Sequence, residues 1–127
     1  MKRMIITTIC IVLITMVIGC QKTIQEPAQI AFKAENGTVL ATEYDLVAKE
    51  AKTQEMDGIN EFLMKFKDPK KLAKMTEENL GKPIHIYYKD ELISSPIVNN
   101  TLIDGWVVVT GIDEETVMEM IQTIQQQ

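Results

Sequence analysis

Residues 59–75 read Ile59-Asn60-Glu61-Phe62-Leu63-Met64-Lys65-Phe66-Lys67-Asp68-Pro69-Lys70-Lys71-Leu72-Ala73-Lys74-Met75, and the change of period inside this stretch sets the fold class. In its first half Phe62, Met64 and Phe66 fall on one side of an extended chain, with Glu61, Lys65 and Lys67 on the other, as a half-buried strand requires. At Asp68-Pro69 the period becomes helical. Asp68 suits the N-cap and Pro69 the first helical position, where its missing N–H has no partner in any case, and Leu72, Met75 and Leu80 then return on one side. Gly81 and Pro83 close this helix.

Working outward, Asp57-Gly58 joins a strand over Glu50–Met56 to the one just described. Further upstream, Gln29–Ala34 and Thr38–Ala41 flank Glu35-Asn36-Gly37, a hairpin signal because Asn and Gly both accept positive φ. Thr42-Glu43-Tyr44-Asp45 has the letters of a capping box on a single helical turn. Downstream, Ile84, Ile86 and Tyr88 alternate with His85 and Tyr87. Asp90-Glu91 turns that strand into Leu92-Ile93, and Ser94-Ser95-Pro96 breaks the pairing. Gly105 leads into Trp106-Val107-Val108-Val109, an unbroken apolar run that predicts a central strand covered on both faces. Asp113–Thr116 caps a last helix carrying Val117, Met120, Ile121 and Ile124, and the glutamines from Gln125 are expected to fray. The sum is an α+β domain over residues 30–127: an antiparallel or mixed β-sheet with two main helices packed on one face.

The first residues belong to a different class of segment. Lys2 and Arg3 precede 15 uncharged, mostly apolar residues from Met4 to Ile18. That length matches a secretory signal peptide and falls short of the roughly 20 residues that span a bilayer. The boundary Val17-Ile18-Gly19-Cys20 resembles the lipobox of bacterial lipoproteins. The resemblance implies cleavage after residue 19, lipid on Cys20, a membrane anchor on the extracytoplasmic face, and a short polar tether over residues 20–29. Two acyl chains give stable anchoring where one is marginal.

Composition excludes several functions. The net charge is −5, and without Lys2 and Arg3 the remainder carries 11 basic against 18 acidic residues, so phosphate contacts to nucleic acid are not expected. Cys10 lies in the leader and Cys20 at its end, which leaves no disulfide or thiolate site in the domain. His85 is the single histidine, so no histidine metal cluster exists. Ser94 and Ser95 have no base offered by the sequence. The glycines stand at turns and not in a phosphate loop, and neither an enzyme nor a small-molecule cofactor is expected.

From about Gln29 onward the order of elements resembles the head subdomain of the first extracytoplasmic loop of SecD and SecDF, accessory subunits of the protein translocase. The likeness is strongest over Thr76-Glu77-Glu78-Asn79-Leu80-Gly81-Lys82-Pro83-Ile84-His85-Ile86. It continues through Leu92-Ile93-Ser94-Ser95-Pro96-Ile97-Val98 and through Gly111, before the closing helix. Thr76, Asn79, Gly81, Ser95, Pro96 and Gly111 carry it best. The resemblance implies contact with exported polypeptides or translocase subunits, and its matching segment contains Ser95 and Pro96; Tyr87, Tyr88 and Trp106 are aromatic candidates for gripping apolar segments, and Tyr87, Ser95, Pro96 and Trp106 are the contact residues expected. Aromatic rings suit that role because they supply contact area at little entropic cost, although core packing competes for the same rings. The base subdomain and the proton-driving membrane helices of the family are missing, and Thr101–Gly105 replaces a more Gly-rich loop. A module of this kind binds polypeptide without pulling on it. The other function considered is an envelope lipoprotein that docks on one membrane or envelope protein with no part in export.

Cys20→Ala is expected to leave an unprocessed precursor without lipid label; metabolic labelling with a radioactive fatty acid checks it, and normal processing of the variant would remove the anchor.

Overall fold

The computed structural model describes residues 27–127; the leader, Cys20 and the tether as far as Glu26 lie outside the described residues. The chain builds β1 (Ile30–Lys33), β2 (Val39–Thr42), β3 (Lys52–Met56), β4 (Ile59–Lys65), α1 (Pro69–Glu78), β5 (His85–Tyr88), β6 (Glu91–Ser94), β7 (Trp106–Thr110) and α2 (Glu114–Gln125). This is the α+β class expected, and the strands divide between two antiparallel sheets, ordered β2-β1-β5-β6 and β3-β4-β7.

Hairpin chemistry sets the pairings. Asp57-Gly58 takes positive φ at both residues, the turn whose twist matches the flanking strands. Lys89-Asp90 does the same, so the second turn sits one residue earlier than Asp90-Glu91 and Glu91 already belongs to β6. In the first hairpin only Gly37 takes positive φ, while the Asn36 side chain accepts from the Thr38 N–H. The β1–β2 register shifts at Phe32/Lys33 to absorb the longer loop. Thr42–Asp45 forms the capping box as read: the Thr42 hydroxyl accepts from Tyr44 and the Asp45 carboxylate from the Thr42 N–H, on a short 3-10 turn.

The sheets share one core. Phe32 of the first and Phe66, just beyond β4, pack with ring centroids 5.7 Å apart and planes tilted by 58°. Leu72 and Met75 of α1 and Val117, Met120, Ile121 and Ile124 of α2 join the same buried cluster. The central strand of the three-stranded sheet is β4, whose Phe62, Leu63 and Met64 are buried in succession. The Trp106–Val109 run is therefore not a covered central strand. It forms β7, an edge strand with Val108 48% exposed, and on the outer face of the sheet the ammonium groups of Lys52 and Lys65 lie 5.4 and 5.6 Å from the centre of the Trp106 ring. Four apolar residues in sequence do not separate an edge from a centre, because their neighbours across the sheet are not local information.

Helix α1 ends at Glu78 with Asn79 as C-cap, whose buried amide donates to the Met75 carbonyl at 2.8 Å. Leu80, expected on the apolar side, lies past the cap and is exposed, while Thr76 and Asn79 occupy interior positions. Helix α2 starts at Asp113, where the Thr116 N–H and then its hydroxyl hold the carboxyl below its ordinary value.

The start of β1 and the last residue of the chain meet on one turn. The buried Glu43 carboxylate accepts from the Gln29 and Ile30 N–H groups at 2.9 and 2.7 Å. Gln127 donates to the carbonyls of Glu43 and Leu46, so the last glutamine is tied down where fraying was expected.

Gly105 has φ +85, and a Cβ there would lie 3.3 Å from the Pro69 ring; Gly81 has φ +77 with open space around it. Gly105→Ala is expected to cost about 1–3 kcal/mol through left-handed strain, and to exceed Gly81→Ala because of the added contact. Urea melts of the two variants check the order, and equal midpoints would contradict it.

Candidate functional site

Where the two sheets and α1 meet, an apolar groove of about 240 Å³ opens to solvent. Phe32 and Ile86 reach it from the four-stranded sheet, Leu72 and Met75 from α1, and Val107 and Val109 from β7. None of its lining residues is charged. The far rim is the segment from Pro96 to Leu102. Val107, Val108 and Val109 all line it although successive strand residues face opposite ways, so the groove runs along the edge of β7 and not beneath one face.

The rim is held by specific hydrogen bonds. The Ser94-Ser95-Pro96 stretch ends β6, yet pairing resumes directly after it. The Ile84 N–H donates to the Pro96 carbonyl, Val98 to Lys82, and Gly81 to Val98, at 3.0, 3.0 and 2.8 Å. The buried Thr76 hydroxyl donates to the Leu72 carbonyl and accepts from the Leu102 N–H at 2.9 Å, fastening the other end of the rim to α1. Thr76, Gly81 and Pro96 thus act together on one structure, the groove wall.

Of the four residues expected to contact polypeptide, Pro96 lines the groove. Tyr87 and Ser95 lie elsewhere, on the outward side of the four-stranded sheet, with the Lys33 ammonium 4.6 Å from the Tyr87 ring centre. Trp106 stands on the outer face of the other sheet. The four do not form one patch. Tyr88, the remaining aromatic candidate, is buried with its hydroxyl 3.2 Å from that of Thr123.

The sequence offered no base for Ser95, and the structure corrects that: the shift in the β5–β6 ladder brings His85 Nδ1 to 2.7 Å from Ser95 Oγ. The pair is exposed, and the described residues place no carboxylate on the other ring nitrogen to orient it. Apart from Pro96, sequence reasoning assigned none of the lining residues, Leu102, Thr76 and Val108 among them, to a contact surface, although Thr76 was among the residues that carry the resemblance. Thr76 alone carried a signal, a hydroxyl on the apolar side of an otherwise regular helix.

Residues 22–124 match the family model described as SecDF, P1 head subdomain. No curated protein matches the chain. Among solved structures, one of a membrane component, SecDF, that enhances protein export superposes with a TM-score of 0.62 at 22% identity, over 70% of this chain and 41% of that one. A second, of SecDF in a super-membrane-facing form, gives a TM-score of 0.63 at 23% identity, over 75% of this chain and 13% of that one. The chain thus spans under half the length of either, and the likeness concerns the fold.

Thr76→Val keeps the shape and removes the acceptor of the Leu102 N–H. It is expected to cost about 1–3 kcal/mol and to raise the exchange rate of the Leu102 amide above that of Val109. Hydrogen exchange by NMR checks this, and an unchanged Leu102 amide would mean that the rim is held without Thr76.

Proposed function

The chain belongs to the SecDF P1 head subdomain family, and from that premise we propose that it is a non-catalytic polypeptide-binding module of the extracytoplasmic space that assists protein export near the translocase. The observation that carries the reading is the uncharged apolar groove beside β7. An unfolded exported chain exposes apolar segments that a folded protein hides, and a neutral groove takes them up without desolvating a charge. The export context comes from SecDF, the membrane component that enhances protein export and with which this domain shares its fold.

In this reading Cys20 carries the lipid, and the residues before Gln29 tether the domain to the membrane. No helix among the described residues is long and apolar enough to cross a membrane, so the anchor rests on the segment before them. A head held this way binds and releases chains but supplies no force, because energy coupling across a membrane needs charged groups within it. The groove, with Pro96 on its rim, is the contact surface. Tyr87, Ser95 and Trp106 lie outside it.

The test is photo-crosslinking in living cells from a photoreactive residue at Ile97, on the groove rim, and from another at Tyr87, away from it. Many different exported polypeptides, together with translocase subunits, are expected from Ile97 and few from Tyr87. One recurrent envelope protein from either position, with no translocase, would replace this reading with docking on a single partner.

A further inference from the structure

Of the four strand edges among the described residues, three are protected. The ladders that place β2 and β6 at the margins of the first sheet are each interrupted by a register shift, and β3 carries Lys52 and Glu55 along the margin of the second. Register shifts and charges are the usual means by which folded proteins keep further strands from adding. Edge strand β7 has neither. Its sequence Trp106-Val107-Val108-Val109-Thr110 contains no charge, and its register with β4 is unbroken.

The ladder also fixes which backbone groups are free. Phe66 donates to the Gly105 carbonyl at 2.8 Å, so hydrogen-bonded pairs recur every second residue, at Met64/Val107 and Phe62/Val109. The N–H and C=O of Val108 and Thr110 therefore point away from β4, those of Val108 on the groove side. The Trp106 N–H is taken by the Asp104 carboxylate at 3.0 Å, which ends the free row on that side.

We infer that β7 is a template for strand addition. An extended, uncharged polypeptide segment pairs with it through the backbone groups of Val108 and Thr110, and alternate apolar side chains of the segment enter the groove toward Leu72 and Ile86. This rests on the polypeptide-binding reading and adds to it the conformation and chemistry of what is bound. Recognition through the backbone tolerates many sequences, while the uncharged lining discriminates against charged side chains. Addition to β7 continues the β3-β4-β7 sheet by one strand without moving an existing pair.

The test uses the full chain in detergent and a fluorescein-labelled peptide of alternating threonine and valine, with binding read by anisotropy. Val108→Pro removes one outward N–H and no bond to β4, since proline is tolerated at such edge positions. It is expected to weaken binding by roughly tenfold, the loss expected for one or two backbone hydrogen bonds. Val108→Thr, which keeps the N–H, binds within a few fold of the parent. The same peptide with alternate amides N-methylated loses affinity for the unaltered protein, a measurement that stands even if Val108→Pro fails to fold. Equal binding of the methylated and plain peptides would overturn strand addition while leaving groove binding intact. Failure of the parent protein to bind the peptide at all, together with an absence of diverse crosslinks from Ile97, would overturn both.

Discussion

The rest of the molecule depends on how the chain passes through Phe66. Its ring packs at a tilt against Phe32 of the other sheet, its N–H donates to Gly105, and its backbone bridges to Leu46. One residue later Lys67 donates to Asp45, and Asp68 caps α1. Within three residues a strand has joined its neighbour, met the opposite sheet and turned into a helix. Gly105 lies against the Pro69 ring at this crossing, and a Cβ at 105 would sit 3.3 Å from that ring. The divided sheet follows: β4 cannot continue into the four-stranded sheet because its backbone is already committed to Leu46, Asp45 and Gly105.

The groove is a consequence of that division. Two antiparallel sheets that share a core through Phe32 and Phe66, with α1 against both, leave the β7 edge of one facing the inner strands β1 and β5 of the other across a gap. A closed sheet would have no such opening, and a longer rim would fill it. The Pro96–Leu102 segment lines the gap without closing it, because its backbone pairs with residues 81–84 at one end and is fixed to Thr76 at the other. The surface proposed to take up polypeptide is thus built from the same interactions that hold the domain together.

Local sequence reasoning identified the strands, both helices, the capping box and the Asp57-Gly58 turn, since each is governed by residues within a few positions of one another. It misplaced β7 because burial on a second face depends on a neighbour far away in sequence. It carried α1 as far as Leu80 by counting apolar letters, whereas the helix stops where Asn79 bonds back to Met75 and Gly81 takes positive φ. The His85–Ser95 contact was illegible for a related reason: the ladder shift that makes it has no signature in the letters. For the site, Pro96 was legible through family resemblance, while the aromatic residues that drew attention as contact candidates serve the core or the outer faces.

Three of the six residues that carry the resemblance, Thr76, Gly81 and Pro96, hold the rim of the groove, and this has a physical reason. The floor needs volume and apolarity, which Leu, Ile, Met, Val and Phe supply interchangeably as long as the total is kept. The rim needs particular groups: a hydroxyl at 76 that accepts from one backbone N–H while donating to a carbonyl, a left-handed residue at 81 whose N–H turns toward Val98, and a carbonyl at 96 facing Ile84. Few residue types satisfy the first two of these, so Thr76 and Gly81 are letters of the resemblance and also groups that hold the rim. The floor can change in composition while the opening keeps its shape, as the proposed uptake of many different chains would require.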